Sequence, residues 1–403
     1  MLSGNTFSQV IPFLIAPFLA RIFSVEEFAE FANILAIIGL IGIVSTGRLE
    51  IAIPLPKSKK KAQNIVFTGL LICILLSVLC GFIPLFGQEI SDIYNSKEIS
   101  RYLWLIPISV LSYGLLGLTS NWALREQKFT NLSVGKVVQS IVNNGLAVVL
   151  GYYGAGVYGL LASWILSQYI NISYLFWSFN KKFNLKEYNL STVKSTLIEY
   201  KDFPLVNSLH AFMDIFATQF VLFWMISSFF GNIELGLFSV MVKYIKAPIV
   251  LVSSSVSQLF YVEATKAKNE GLPIKPIAIK TLKTTILFAI PFVIILGFFG
   301  PIIFKIYLGS NWEFSGIYAR SLIPMFFLYF LVSPISSIPI LFNRQKLSFI
   351  FNVLGYFLTL VCLYLCTYFN WSFIDSLWIY GITYSVHYLF LLAWFNHFLN
   401  KKV

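Results

Sequence analysis

Lys243 and Lys246 stand three residues apart, roughly seven and ten residues into an apolar run, with Tyr244 between them and Ser239 one turn earlier. That spacing puts both ammonium groups on one face of a helix. A lysine near the end of a span can reach the interface, but from mid-span the reach is too long. Each charge therefore needs a partner. One reading is the cationic wall of a water-filled cavity that holds an anion. The other is an ion pair with an acid on a neighbouring helix.

Three further constellations carry polar chemistry inside apolar runs. His210 and Asp214 are four apart, with Asn207 one turn before. They can serve proton or ion coupling, because a histidine beside a carboxylate titrates near neutral pH. They can equally pair with a lysine of the next run, or form a weak His-x-x-x-Asp acyl-transfer signature. Arg48 and Glu50 close the second run and read either as an interface anchor or as the cationic lip of a cavity. Lys136, Ser140 and Asn143 share a face, with Asn144 beside it, a stripe polar enough to line a cavity. Arg21 and Arg320 read as end-of-span anchors, and Arg125 as an ordinary loop cation. His387 and His397 are isolated. No metal-ligand cluster, phosphate-binding glycine loop or Ser-His-Asp set stands out, so no cofactor is expected.

The elements that must position these groups are membrane spans. The chain has 403 residues, of which 58% are hydrophobic and only 11% charged, against about 25% charged in soluble domains. Apolar runs of about twenty residues cross ~30 Å of hydrocarbon. Twelve are expected, near 7–23, 28–46, 64–86, 102–124, 133–152, 156–178, 204–228, 236–258, 284–304, 318–342, 348–368 and 374–397. The first is short and holds Gln9, Pro12 and Pro17. Arg21 and Glu26-Glu27 follow it, where a signal peptide would carry small residues. Cys73, Cys80, Cys362 and Cys366 all lie in apolar runs and read as packed, reduced thiols.

The net charge of +12 forms no basic patch with interleaved aromatics, which argues against nucleic acid. With the N-terminus inside, 22 of the 29 cations fall on inner segments, among them Lys57, Lys59, Lys60, Lys61, Lys181, Lys182, Lys186, Lys401 and Lys402. Five, including Lys97 and Lys305, fall outside, and two lie within a span. That bias predicts both termini cytoplasmic. The inner loop near 181–203 divides the chain into an N-terminal lobe, 1–180, and a C-terminal lobe, 204–403. The expected fold is all-α, two six-helix lobes around a central cavity. Glu27-Phe-Ala-Glu-Phe31 and Glu234-Leu-Gly-Leu-Phe238 offer one short internal match, preceded by Gln9 and Gln219.

The stretch Gly4-Asn-Thr-Phe-Ser-Gln9, then Pro17-Phe-Leu-Ala-Arg21, Glu26-Glu-Phe28 and the run from Thr46 to Pro56, resembles Wzx-type polysaccharide flippases. These belong to the larger group that holds the MATE exporters and the lipid II flippase. Looser matches lie at Tyr200-Lys-Asp-Phe-Pro204 and from Leu308 to Gly316. The resemblance implies a multi-pass protein of the bacterial cytoplasmic membrane that flips undecaprenyl-diphosphate-linked oligosaccharide for O-antigen or capsule assembly. A proton or sodium gradient is an expected driving force, and other polysaccharide-assembly membrane proteins are expected partners. On that reading Lys243, Lys246 and Arg48 bind substrate. Asp214 with His210 couples an ion, and Lys136, Ser140, Asn143 and Tyr244 line the cavity. A small-molecule exporter of the same fold is the first alternative. A membrane glycan polymerase or acyltransferase would need a longer outer loop or a fuller catalytic set, so no enzyme is expected.

Overall fold

The computed structural model describes residues 2–94, 96, 98–179 and 190–400. Lys97, Lys181, Lys182, Lys186, Lys401 and Lys402, counted above as boundary cations, lie outside the described residues, as does the start of the 181–203 loop. No strand occurs among the described residues. Among the described residues, twelve long helices lie at the twelve expected spans. They are α1 (Leu2–Ile22), α2 (Val25–Gly42), α3 (Lys59–Cys80), α4 (Ile106–Arg125), α5 (Phe129–Tyr152) and α6 (Gly156–Ser178), then α7 (Phe203–Phe229), α8 (Asn232–Asn269), α9 (Lys275–Leu308), α10 (Ile323–Leu341), α11 (Gln345–Tyr368) and α12 (Phe373–Leu399). Nine helices among the described residues are long and apolar enough to cross a membrane. The chain is a multi-pass membrane protein. Of the other three, α1 contributes the apolar stretch Phe7–Ile22, α2 carries the three charges Glu26, Glu27 and Glu30, and α6 buries Ser163, Ser167, Gln168 and Asn171.

The start of α2 is fixed by a reciprocal cap. The backbone N–H of Glu27 donates to Ser24 Oγ at 3.2 Å, and the N–H of Ser24 donates to the Glu27 carboxylate at 2.7 Å. Two otherwise orphaned donors are thus satisfied. Ser24→Ala should cost about 1 kcal/mol, read as a lower melting temperature of the detergent-solubilised protein. An unchanged melting temperature would contradict that role.

The chain folds as two compact units, Met1–Gly236 and Leu237–Val403. In the first, α5 packs along α1 and α6. Ser140 Oγ donates to the Ser8 carbonyl at 2.7 Å, and Asn171 Nδ2 donates to Gln139 Oε1 at 2.8 Å. The core of this unit gathers Ile34, Ile38, Ile106, Val110 and Leu161. Helix α7 belongs to it as well: Asn33 Nδ2 donates to Ser227 Oγ at 3.3 Å, and Trp224 Nε1 to the Ile93 carbonyl at 2.9 Å.

The second unit is built on Phe260, Ala264, Ala278, Ile335, Phe395 and neighbours. Its closest crossing is glycine on glycine. A Cβ on Gly316 would stand 2.4 Å from the backbone of Gly300 and Pro301. Beside it, Trp312 is 1% exposed and Ser315 Oγ donates to the Leu237 carbonyl at 2.9 Å. The sequence from Leu308 to Gly316 thus works as a packing motif. His387 lies against Gly355, whose Cβ would come 2.5 Å from Nδ1, so this histidine is a packed residue. All four cysteines are free thiols, three of them buried.

The two units repeat their turns. Gln127, between α4 and α5, and Asn343, between α10 and α11, both take left-handed backbone at φ 55°. Gly154, between α5 and α6, and Asn370, between α11 and α12, do the same at φ 75° and 54°. Both pairs are 216 residues apart (127 to 343, 154 to 370). Each second turn follows an edge-on aromatic pair, Tyr152–Tyr153 and Tyr368–Phe369.

Candidate functional site

In the first unit the polar machinery centres on the turn after α2. Gly47 (φ 61°) and Arg48 (φ 57°) are consecutive left-handed residues, followed by a single 3₁₀ turn, Leu49–Ala52. Glycine adopts this backbone freely, but an arginine there is uncommon. Leu49, Ala52 and Ile53 are fully buried and hold the turn down. Gly114 and Gly117 of α4 make room for it. A Cβ on Gly114 would meet Cys73 Sγ at 2.3 Å and Ser45 Oγ at 2.8 Å, and one on Gly117 would meet Glu50 Cγ at 3.4 Å.

The turn presents an arginine–glutamate pair. Arg48 Nη1 lies 3.4 Å from Glu50 Oε1, with both side chains largely buried. The Thr46 hydroxyl donates to the other Glu50 oxygen. Among the described residues Arg48 Nε is buried with no hydrogen-bond partner, so the guanidinium has donor capacity left for an incoming acceptor.

Helix α7 runs beside this turn. A Cβ on Gly47 would meet Pro204 at 3.4 Å, and one on Gly39 would meet Ile215 and Gln219 at 3.9 Å. The helix is interrupted twice by π-turns, Phe203–Asn207 and Phe216–Val221. Such turns often mark functional positions. They bracket the segment Ser208–Ile215 that carries His210 and Asp214. Asn207, His210 and Asp214 are all exposed on it.

The stripe on α5 divides. Ser140 is committed to α1 through its bond to Ser8, and Asn144 Nδ2 donates back to the Ser140 carbonyl at 2.8 Å. Lys136 is exposed and Asn143 half-buried. Ser140 therefore serves as a helix tie, while Lys136 presents its charge.

In the second unit, α8 runs for 38 residues. Met241, Ile245, Ile249, Ser253 and Phe260 are buried along one face. Lys243, Lys246, Val250, Ser254, Gln258 and Tyr261 form an exposed stripe on another. Lys243 lies eleven residues from the start of α8, or about 16 Å along the axis. A lysine facing lipid at that depth costs about 2.5–3.5 kcal/mol. Two lysines, a serine and a glutamine on one face therefore favour contact with water or an anion over lipid chains. Lys243 Nζ sits 5.6 Å from the ring centroid of Tyr244. Tyr244 in turn packs edge-on against Tyr307 of α9, centroids 6.4 Å apart. Tyr244 thus braces Lys243 as well as bordering the polar face. Pro248 follows within the helix. It removes the backbone donor that the Tyr244 carbonyl would otherwise receive, opening the helix next to the lysines.

Sequence reasoning found the lysines but stopped short of Ser254, Gln258 and Tyr261, which continue the same helical spacing. It also passed over Arg125. That guanidinium donates to the carbonyls of Ile53 (3.1 Å), Pro56 (2.5 Å) and Lys57 (3.2 Å), stapling the strap after the Arg48 turn to α4. Pro54 and Pro56 signal a segment that cannot form a regular helix, so its carbonyls need outside donors. Arg21 and Arg320 each cap a carbonyl, of Pro17 and Phe298.

The profile of a family described as polysaccharide biosynthesis protein matches residues 18–316. No curated protein matches the chain. Among solved structures, the lipid II flippase MurJ in an inward closed conformation superposes with a TM-score of 0.79. The identity is 14%, over 97% of this chain and 86% of that one. An inward-facing multidrug resistance MATE transporter of the MOP superfamily gives 0.71 at 14% identity, covering 99% and 94%. A MOP superfamily transporter from Pyrococcus furiosus, described by the reverse polarity of its binding pocket, gives 0.60 at 14% identity, covering 99% and 93%. At such identity the likeness is one of fold.

Proposed function

Since the chain belongs to the polysaccharide biosynthesis protein family, we propose that it flips undecaprenyl-diphosphate-linked oligosaccharide from the inner to the outer leaflet of the bacterial cytoplasmic membrane. Alternating access is the mode, and O-antigen or capsule assembly the purpose. The observation that carries this reading is the polar stripe of α8 with Lys243 and Lys246 near mid-helix.

A diphosphate carried through a low-dielectric region needs fixed cations, because burying an unpaired anion costs several kcal/mol. Lys243 and Lys246 supply that charge. Arg48 assists, since its unused donor suits a phosphate oxygen. Ser254, Gln258 and Tyr261 offer hydrogen bonds to sugar hydroxyls, with Lys136 and Asn143 in the same role from α5. The isoprenoid tail stays in the bilayer. His210 and Asp214, between the two π-turns of α7, couple transport to a proton or sodium gradient. The cation distribution supports a reading with both termini in the cytoplasm, and other polysaccharide-assembly membrane proteins are the expected partners.

An exporter of small cations with the same fold is the competing reading. It calls for acids on the cavity face, whereas α8 exposes lysines. Deleting the gene tests the choice. Lipid-linked units accumulating on the inner leaflet, with loss of surface polysaccharide, is the expected result. Unchanged glycan with raised drug sensitivity would favour the exporter. Arg48→Ala should lower export about tenfold, the effect of losing one charge-assisted hydrogen bond worth ~1.5 kcal/mol. Equal export would remove Arg48 from the binding set.

A further inference from the structure

Between α3, α4 and α6 of the first unit lies an apolar groove of about 260 Å³. Val66, Phe67 and Leu70 of α3, Leu118 of α4, and Phe176 at the end of α6 with Phe179 just beyond it form most of its wall. Its two polar side chains, Gln63 and Thr119, do not break the apolar surface: the Thr119 hydroxyl donates to the Leu115 carbonyl at 2.8 Å, and Gln63 stands at the mouth. Trp122 and Phe179 meet edge-on there, centroids 6.5 Å apart.

One turn further along the same two helices the lining changes sign. Lys59 precedes Gln63 on α3, and Arg125 with Glu126 follows Trp122 on α4. With Pro54 to Lys57 and Gln127 they line an open polar recess of about 490 Å³. Its charges are Lys57, Lys59 and Arg125 against one carboxylate, Glu126, which lies 3.8 Å from Lys59 Nζ with both side chains partly exposed. Arg125 is already bonded to backbone carbonyls, so it adds fixed positive charge. Lys57 and Lys59 are the exposed ammonium donors. From Lys59 to Leu70 the helix rises about 16 Å, the reach of a glycerol backbone and much of an acyl chain.

We propose that this groove holds one chain of an anionic glycerophospholipid, with its phosphate at Lys57 and Lys59. Positive charge in the recess and an apolar groove one turn along the same two helices complement an anionic headgroup and its acyl chain. Basic recesses at the ends of spans suit anionic headgroups. The site is independent of the transport reading: none of Lys243, Lys246, Asp214 or Arg48 lines it.

Thermal melting of the full-length protein in mild detergent tests it, with dioleoylphosphatidylglycerol, dioleoylphosphatidylcholine, undecaprenyl phosphate and inorganic phosphate as probes. Phosphatidylglycerol should raise the melting temperature by several degrees, and phosphatidylcholine by less than half as much. Inorganic phosphate should give no shift. Val66→Trp, which fills the groove, should abolish the phosphatidylglycerol shift. The double variant Lys57→Ala, Lys59→Ala should reduce it to the phosphatidylcholine level. Leu70→Phe carries the same test if Val66→Trp does not fold. Equal shifts from the two phospholipids, a shift from phosphate alone, or an undiminished shift in the filled groove would overturn the proposal. A larger shift from undecaprenyl phosphate would assign the groove to an isoprenoid chain, and would overturn it too.

Discussion

Lys243→Ala is expected to abolish surface polysaccharide export while leaving the protein in the membrane at its normal level. Removing one partner of a desolvated charge pair costs roughly 2–5 kcal/mol, and each 1.4 kcal/mol is about tenfold in binding. The export rate should therefore fall about thirtyfold at least, and up to several thousandfold. Membrane content should not fall, because Lys243 is exposed on α8 and its contact is with the Tyr244 ring. Lys243→Arg keeps the charge and should retain a substantial fraction of export, since a guanidinium also binds phosphate. The readouts are surface glycan and immunoblotted membrane protein. Full export by the alanine variant would remove Lys243 from the binding set.

Gly316→Ala should act on the fold instead. The added methyl would stand 2.4 Å from the Gly300 carbonyl carbon and oxygen and from Pro301 Cα, all of them backbone atoms. Neither helix can yield by a side-chain rotation, so the crossing must open. Overpacking costs about 1–3 kcal/mol when side chains can adjust; with backbone against backbone the upper end or more is expected. Loss of the monodisperse peak on size exclusion, or a melting temperature lower by about 5 °C or more, checks this. Gly145→Ala is the control: nothing lies within 4 Å of its Cβ position, and removing a mid-helix glycine should be neutral or stabilise by up to about 1 kcal/mol. Similar behaviour of the two variants would contradict the close crossing.

The contrast between these two sites shows what could be read from sequence. Lys243 and Lys246 were legible because charge inside an apolar run is anomalous wherever it occurs, and the count of twelve helices was legible because span length is set by the bilayer. The exposed stripe beyond Lys246 was also available, since Ser254, Gln258 and Tyr261 keep its spacing, but serine and tyrosine are too common in spans to attract notice. Gly316 was not legible. Its role depends on Gly300, sixteen residues earlier on another helix, and only packing brings them together. Arg125 looked like one more loop cation until its backbone carbonyl partners were in place.

The internal repeat shows the same limit. The Glu27 and Glu234 match rested on residue identity. The stronger correspondence lies in backbone conformation, at Gln127 with Asn343 and Gly154 with Asn370. Glutamine and asparagine share a left-handed turn there without sharing a letter. A linker also says little about which neighbour a helix will join. The loop near 181–203 precedes α7, yet Asn33, Ser227 and Trp224 hold α7 within Met1–Gly236.

The proposed function has a diphosphate-linked glycan lipid cross the membrane on the Lys243 face. The most direct measurement reconstitutes the full-length protein into liposomes with fluorescent undecaprenyl-diphosphate-linked oligosaccharide, and follows its accessibility to a membrane-impermeant quencher under an imposed proton or sodium gradient. Protein-dependent translocation that Lys243→Ala loses and Lys243→Arg largely keeps is the expected result. Translocation no faster than in protein-free liposomes under either gradient, or equal rates for the wild-type and alanine proteins, would contradict it.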